Sequence, residues 1–385
     1  MTEALRQITD RVRAAAADGT PLALRGGGTK DFYGEPARGA PLDLRPLAGI
    51  VDYEPSELVV TVQAGTPLDE LEAVLAERGQ CLPFEPPHFG TGGARATVGG
   101  MVAAGLSGPS RARSGAVRDY VLGAHLLNGR AELLQFGGTV MKNVAGYDVS
   151  RLLAGSLGTL GVITQVSLKV LPVAPAEATL RFTCSQADAL ALLHGWGGQP
   201  LPLDASCWVQ EDPADAASGT LYLRLRGAVA AVEAACARLG GTRVDAAPED
   251  RARVAADWTA CRDQRLPWFA DRPAGRDLWR LSVPQTAPVL PLPADRFGAP
   301  LVEWHGGQRW VQAPAGDAAA AQALRQVARE VGGHATLFIA AGAGGTGAEA
   351  RFDALSAPLE AIHRRLKTAF DPAGIFNPGR LVPGL

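Results

Sequence analysis

Three glycine-rich runs, RGGGTK (25–30), ATVGGMVAAGLSG (96–108) and GSLGTLGVIT (155–164), fall in the first half of the chain, each beside an apolar stretch. Glycine lacks a Cβ, so such runs mark places where backbone approaches something closely or turns through positive φ. The first run follows the short apolar strand PLALR directly. A glycine-rich turn in that position can aim backbone N–H groups at a phosphate. The two familiar phosphate motifs do not fit. A Walker loop, G-x-x-x-x-G-K-[ST], needs a glycine further upstream and a hydroxyl after Lys30, where Asp31 stands; G-x-G-x-x-G needs a third glycine, again at Asp31. By itself the run reads equally well as a plain turn.

The surroundings alternate helix and strand. Leu5, Ile8, Val12 and Ala15 share one helical face and Asp18-Gly19 supplies a stop. LVVTVQAG reads as a strand, followed by Thr66 as N-cap, Pro67 as first helical residue, Asp69 as capping-box acid, and Leu68, Leu71 and Leu75 as the buried face. A long Gly- and Pro-rich segment, residues 81–115, then breaks the pattern, and long irregular segments inside compact domains are usually functional. Within it, Thr97, Gly99 and Gly100 precede an Ala-rich helix start, a second candidate anion cradle. Strands follow in VRDYVLGAHLL and AELLQFGG. Then come a helix about 148–153, a turn at 155–158 and a strand from Gly161 to Val170.

Beyond Pro172 the character changes. All seven tryptophans lie there, from Trp196 to Trp310, and glycine-rich turns are sparse until residues 341–347. GTLYLRLRG and HATLFIAA read as strands, and AVAAVEAACARLGG and AGDAAAAQALRQVARE as helices. The expectation is an α+β chain with domains at 1–172 and 173–360, the latter with an antiparallel sheet, and a closing segment, 361–385, returning to the first.

With 37 basic against 39 acidic side chains, the net charge of -2 offers no field for nucleic acid or an anionic membrane surface. No apolar run approaches the roughly 20 residues of a spanning helix, and the N-terminus lacks a secretory pattern, so the expected location is cytoplasmic with no direct membrane insertion. Cys81, Cys184, Cys207, Cys236 and Cys261 are scattered without a C-x-x-C, so no metal or iron–sulfur site is expected.

Taken together, RGGGTK, ATVGGMVAAGLSG and GSLGTLGVIT, in this order, resemble the FAD-binding domain of the vanillyl-alcohol oxidase and p-cresol methylhydroxylase (PCMH-type) superfamily over residues 5–172. LKTAFDPAGIFNPGR resembles the closing segment of that superfamily's hydroxyacid oxidase branch. The details VMKNVAGYDVSRLLAGSLGTLGVIT and FEPPHFGTGGARATVGGMVAAGLSGPSR are more specifically similar to the small flavin subunit family of bacterial glycolate oxidase. The resemblance implies a PCMH-type two-part FAD-binding domain followed by an α+β cap domain. It also implies FAD as cofactor, with a larger flavoprotein subunit and an iron–sulfur subunit as partners. The assembly would oxidise glycolate to glyoxylate, and any attachment to the inner membrane would run through those partners. Gly26, Gly27, Gly28 and Thr29 would wrap the diphosphate, with Lys30 a neighbouring charge. Thr97, Gly99, Gly100 and Gly105 would line the other side of the cofactor. Gly161, Val162 and Ile163 would meet its adenine or ribose end.

Three departures qualify what the resemblance implies. Thr29 stands where many superfamily members carry a flavin-tethering His, and Cys81 precedes the central loop, so FAD should be non-covalent. Leu157 stands where related sequences often carry Glu. The region HATLFIAAGAGGTGAEARFD has His334 but no spaced partner for it, where hydroxyacid-oxidising relatives gather ligands in an H-x-G-D-G-N-x-H type motif. Oxidising a 2-hydroxy acid needs a base and a carboxylate-binding cation. His88, His305, Arg309 and Tyr147 could supply these, but no spacing links them, and no catalytic residue can be assigned. Without a cysteine cluster or nicotinamide fingerprint in the sequence, the electron exit is expected on another polypeptide or a diffusing acceptor. Three functions stay open: an accessory or electron-relaying subunit, a self-sufficient FAD-dependent D-2-hydroxyacid dehydrogenase, and a structural subunit with a vestigial flavin site.

Overall fold

The computed structural model of the protein describes residues 2–139, 148–210, 218–342 and 349–385. It divides into two units: Met1–Leu106, Ala116–Val173 and Ala354–Leu385 form the first, and Ser107–Gly115 with Ala174–Asp353 the second. The short piece Ser107–Gly115, inside the first glycine-rich third of the sequence, thus packs with the second unit.

The first unit has two parts. One is a parallel pair, Leu22–Arg25 beside Ala40–Asp43, under the helix Glu3–Asp18, whose Ile8, Val12 and Ala15 are buried. Gly19 ends that helix at φ 66, as its sequence demands. The other is a five-stranded antiparallel sheet in the order Ile50–Glu54, Val59–Gln63, Val162–Lys169, Val121–Leu127, Leu133–Gly137. Leu68, Leu71 and Leu75 of the helix Leu68–Glu77 pack into its core, all fully buried. The expected cap at Thr66 does not form. Pro67 precedes the helix, and the Thr66 hydroxyl instead donates to the Gln63 carbonyl and accepts from the Gly49 N–H, tying two loops together.

The C-terminal segment is stitched to the first strand. Leu22 N–H donates to the Ile375 carbonyl at 2.7 Å, and Asn377 N–H returns to the Leu22 carbonyl at 3.0 Å. Asn377 Oδ1 accepts from Leu24 N–H while its Nδ2 donates to the Leu157 carbonyl. Lys367, buried on the helix Ala357–Phe370, donates to Asp371 Oδ2 at 2.7 Å and to the carbonyls of Thr159 and Phe376. One side chain therefore fixes the helix, the closing turn and the third glycine-rich run.

The second unit is an eight-stranded antiparallel sheet in the order Thr242–Arg243, Ala176–Thr183, Thr220–Gly227, Leu203–Val209, Leu301–Glu303, Gln308–Pro314, Arg276–Ser282, His334–Ile339. Period-2 alternation puts Leu221, Leu223 and Leu225 on the face packed by the helices Gln186–Gly197 and Val229–Leu239. Trp279, Val311 and Leu337 meet the helix Ala318–Glu330 further along the sheet.

Candidate cofactor-binding site

The parallel strand Leu22–Arg25 ends where its apolar alternation ends, and Gly26–Thr29 turn away from it. Four consecutive, half-buried N–H groups result, those of Gly26, Gly27, Gly28 and Thr29, with no hydrogen-bond acceptor among the described residues. A run of successive open backbone donors can receive an oxygen-rich anion. Gly28 sits at φ +76, where a β-carbon is strained. The turn is braced from outside: Arg25 pairs with Asp31 at 2.7 Å, and Arg380 donates to the Glu35 and Tyr33 carbonyls. Lys30 Nζ folds back toward Thr29 Oγ1, at 3.3 Å, and lies over the Phe89 ring.

The second glycine-rich run differs. Thr97, Val98, Gly99 and Gly100 come against the first turn, and a β-carbon on Gly26 would lie 2.3 Å from Thr97 Oγ1. Three of these four donors are already committed: Val98 N–H to the Thr66 carbonyl, Gly99 N–H to that of Ala64 at 2.7 Å, Gly100 N–H to Thr97 Oγ1. Thr97 is thus an N-cap for the seven-residue helix Val98–Ala104 rather than part of a second anion cradle. Gly99 is glycine because a β-carbon would stand 2.6 Å from Ala64 Cβ, and Gly27 because it would stand 1.6 Å from the Arg95 carbonyl oxygen. Gly100 is the exception. It is half-buried, and its β-carbon would meet only Thr97 Oγ1, at 3.0 Å.

Gly105 ends that helix in the left-handed region at φ 64, with Gly155 backbone 2.8 Å from where a β-carbon would be. Leu157 donates its N–H to the Ala103 carbonyl, and its side chain is buried, so leucine at this position belongs to the packing of the turn. Gly161, at φ +153, would drive a β-carbon to 2.7 Å from the Leu127 carbonyl. Val162 and Ile163 point into the two cores of the first unit and pair with Leu127 and Leu126. Only their backbone is available to a ligand.

The candidate catalytic groups are each engaged in surroundings of their own or lie outside the described residues. His88 Nε2 lies 2.9 Å from Glu72 Oε2 in the first unit. His334 is exposed at the start of its strand, and Tyr147 lies outside the described residues. His305 adopts φ 54, ψ 37, its Nδ1 lies 3.1 Å from Ser206 Oγ, and burial pulls its pKa down to about 4. Its Nε2 is buried without a partner among the described residues. Arg309 is buried too; desolvation lowers its pKa to about 10, and it donates to the Gly306 and Ala287 carbonyls.

The sequence reading missed two buried polar clusters in the second unit. Glu303 accepts from Gln308 Nε2, Trp310 Nε1 and Cys261 Sγ. Arg224 binds Asp204 Oδ2 at 2.6 Å and Ser110 Oγ at 2.7 Å, over the Trp258 ring. The signal was polar residues at every second position of an otherwise apolar strand, as at Tyr222, Arg224 and Arg226. A cavity of about 720 Å3 lined by Arg181, Tyr222, Trp258 and Trp268, among others, opens beside them.

The FAD binding domain family matches residues 3–150, which include the open N–H run and the Val98–Ala104 helix. An alkyldihydroxyacetonephosphate synthase structure superposes with a TM-score of 0.68 at 17% identity, covering 97% of this chain and 74% of that one. The matched domain and the relatives together define a flavoprotein oxidoreductase with FAD as its cofactor. The glycolate oxidase subunit GlcE of Escherichia coli (strain K12) is 44% identical over 97% of this chain and 96% of its own length. The glycolate oxidase subunit GlcD of Bacillus subtilis (strain 168) is 32% identical over 44% of this chain and 36% of its own. The chain belongs to the GlcE family of glycolate oxidase subunits.

Proposed function

We propose that this chain is the accessory, electron-relaying FAD subunit of a glycolate oxidase. In this reading it holds FAD non-covalently, with the diphosphate on the N–H groups of Gly26, Gly27, Gly28 and Thr29. The observation that carries the reading is that run of four open donors, with a C-terminal segment bracing the strand before it. FAD supplies the capacity to accept a hydride equivalent and to pass electrons on singly or in pairs.

The chain's own residues set how that group is held. Gly28 gives the turn its left-handed step, Lys30 adds a cation at its edge, and Gly100 leaves a surface without a side chain opposite. Gly105 shapes the end of the helix that carries it, and the backbone of Gly161, Val162 and Ile163 faces the far end of the cofactor. Non-covalent binding is supported by Thr29, whose hydroxyl offers no tether, and by Cys81, which lies in a strand paired with Leu171–Pro172. A larger flavoprotein subunit and an iron–sulfur subunit complete the assembly, the first oxidising glycolate to glyoxylate. The location is cytoplasmic, with any contact with the inner membrane made by the partners.

The test is the visible spectrum of the purified chain, before and after anaerobic glycolate, followed by acid precipitation. Flavin released into the supernatant, unbleached by glycolate until the two partner subunits are added, is the expected result. Prompt bleaching of the lone chain would replace this reading by a self-sufficient hydroxyacid dehydrogenase. A colourless chain that takes up no FAD would remove the cofactor site.

A further inference from the structure

The helix Ala357–Phe370 carries an apolar stripe, Leu359, Ile362, Leu366 and Phe370, at the three- and four-residue spacing that lines one face. Its C-terminal half is covered: Leu366 and Phe370 pack on the sheet core of the first unit, and Lys367 between them is buried. Its N-terminal half is bare, with Leu359 48% and Ile362 51% exposed. Next to the stripe runs a groove of about 220 Å3 lined by Leu152, His363, Leu366, Leu381, Val382 and Leu385 among others, and Leu152 is itself 39% exposed. Scattered exposed leucines need no explanation, but a stripe that leaves the core and continues into an apolar groove is the form of an interface.

The charge around it says what kind of chain fits. Arg365 follows Ile362 by one helical turn, and with Arg364 and Arg130 it lines a second, open hollow of about 730 Å3 on the adjoining flank. Arg364 is paired with Glu360 at 2.9 Å; Arg130 donates to the Ala369 carbonyl, and neither it nor Arg365 makes an ion pair among the described residues. A second copy docked about a two-fold axis would bring these guanidinium groups toward one another, which costs affinity. A different chain, presenting an apolar patch edged by Asp and Glu, would satisfy both halves of the surface.

We infer that the bare half of this helix, with its groove and basic flank, is where a second, different subunit docks. The inference rests on the reading of this chain as an oxidase subunit, which a relative matching 97% of it, itself named a subunit, supports. The test is co-expression of the tagged full chain with the larger flavoprotein and iron–sulfur subunits of the same genome, using wild type, the double variant Leu359→Glu/Ile362→Glu, and Arg365→Glu. Both variants should keep the flavin content and melting temperature of the isolated wild type, which separates docking from folding. The double variant should recover at least tenfold less of the partners, and Arg365→Glu should lower recovery most at low salt, where surface charges act furthest. A double variant that recovers the partners as well as wild type overturns the docking surface and leaves the subunit reading intact. A wild-type chain that recovers neither partner overturns the subunit reading itself. An isolated wild-type dimer that the double variant dissolves would assign the surface to a second copy and overturn the inference.

Discussion

Gly26–Thr29 and Thr97–Gly100 look alike in sequence, two short glycine-rich stretches each with a threonine, and lie against each other in the fold, yet their backbone donors are used differently. In the first, four successive N–H groups find no acceptor among the described residues. In the second, the N–H groups of Val98, Gly99 and Gly100 all bond within the protein, to Thr66, Ala64 and Thr97. A glycine can thus serve a ligand's approach or the approach of another piece of chain, and only the hydrogen-bond accounting tells which. Gly27 does both: its N–H is open, while the space of its missing side chain is filled by the Arg95 carbonyl.

The largest effect follows from that double role. Gly27→Val places a β-carbon 1.6 Å from a backbone oxygen that cannot swing aside, and Gly99→Val one 2.6 Å from Ala64 Cβ. Both should lose more than about 3 kcal/mol of stability, with flavin loss secondary to unfolding. Gly100→Leu should separate the two functions. Its flavin-free melting should stay within about 1 kcal/mol of wild type, because leucine suits a helix better than glycine. Its FAD content should fall severely, because the added side chain stands on the side left open. Thermal melts with flavin quantitation decide the matter; a Gly100→Leu chain with full FAD would move the cofactor off that face, and a folded, flavin-free Gly27→Val would erase the contrast between the turns.

How much of this was legible beforehand differs by kind of interaction. Periodicity located the Glu3–Asp18 helix, the buried Leu68, Leu71 and Leu75, and the alternating strands of both units, because side-chain burial leaves a pattern of period 3.6 or 2. The cofactor class was carried by the order of three short runs. Which residues of those runs have open donors was not legible, since Gly99 and Gly27 differ only through residues far away in sequence, Ala64 and Arg95. The same limit hid Thr66, whose hydroxyl turned to Gln63 and Gly49 instead of capping, and the piece Ser107–Gly115, whose Ser110 belongs to the Arg224 cluster. Side-chain hydrogen bonds over long separations leave no periodic trace.

The open turn depends on what holds it, and the next effect measures that support. Lys367 satisfies three buried acceptors, while Asp371 also accepts from the Ile375 and Phe376 N–H groups. Burial lowers the Lys367 pKa, and Asp371 partly restores it. Lys367→Met keeps the length but leaves a buried carboxylate uncompensated, which should cost about 3–5 kcal/mol. Because the closing segment braces Leu22 and Leu24, the first turn should loosen before the second. Amide exchange should rise at residues 22–29 more than at 97–100, and equal protection changes at both would mean that the two turns share one support.

The smallest effect carries the distinction between committed and open donors into the second unit, at His305. One ring nitrogen meets Ser206, the other is buried without a partner among the described residues, and burial outweighs the nearby Asp204 in bringing the pKa to about 4. An unfolded histidine titrates near 6.5, so between those values the unfolded chain binds the extra proton and folding weakens as pH falls; above 6.5 the group contributes no pH dependence. The full shift corresponds to at most about 3 kcal/mol, reached near pH 4. His305→Asn removes the titration and tolerates the left-handed backbone at φ 54. Melting temperatures from pH 7.5 to 4.5 should therefore fall less steeply in His305→Asn than in wild type. Parallel curves would mean that the open nitrogen is already protonated or paired in the folded protein, and that an unmatched polar atom can be as closed in this unit as the donors of Gly99 are in the other.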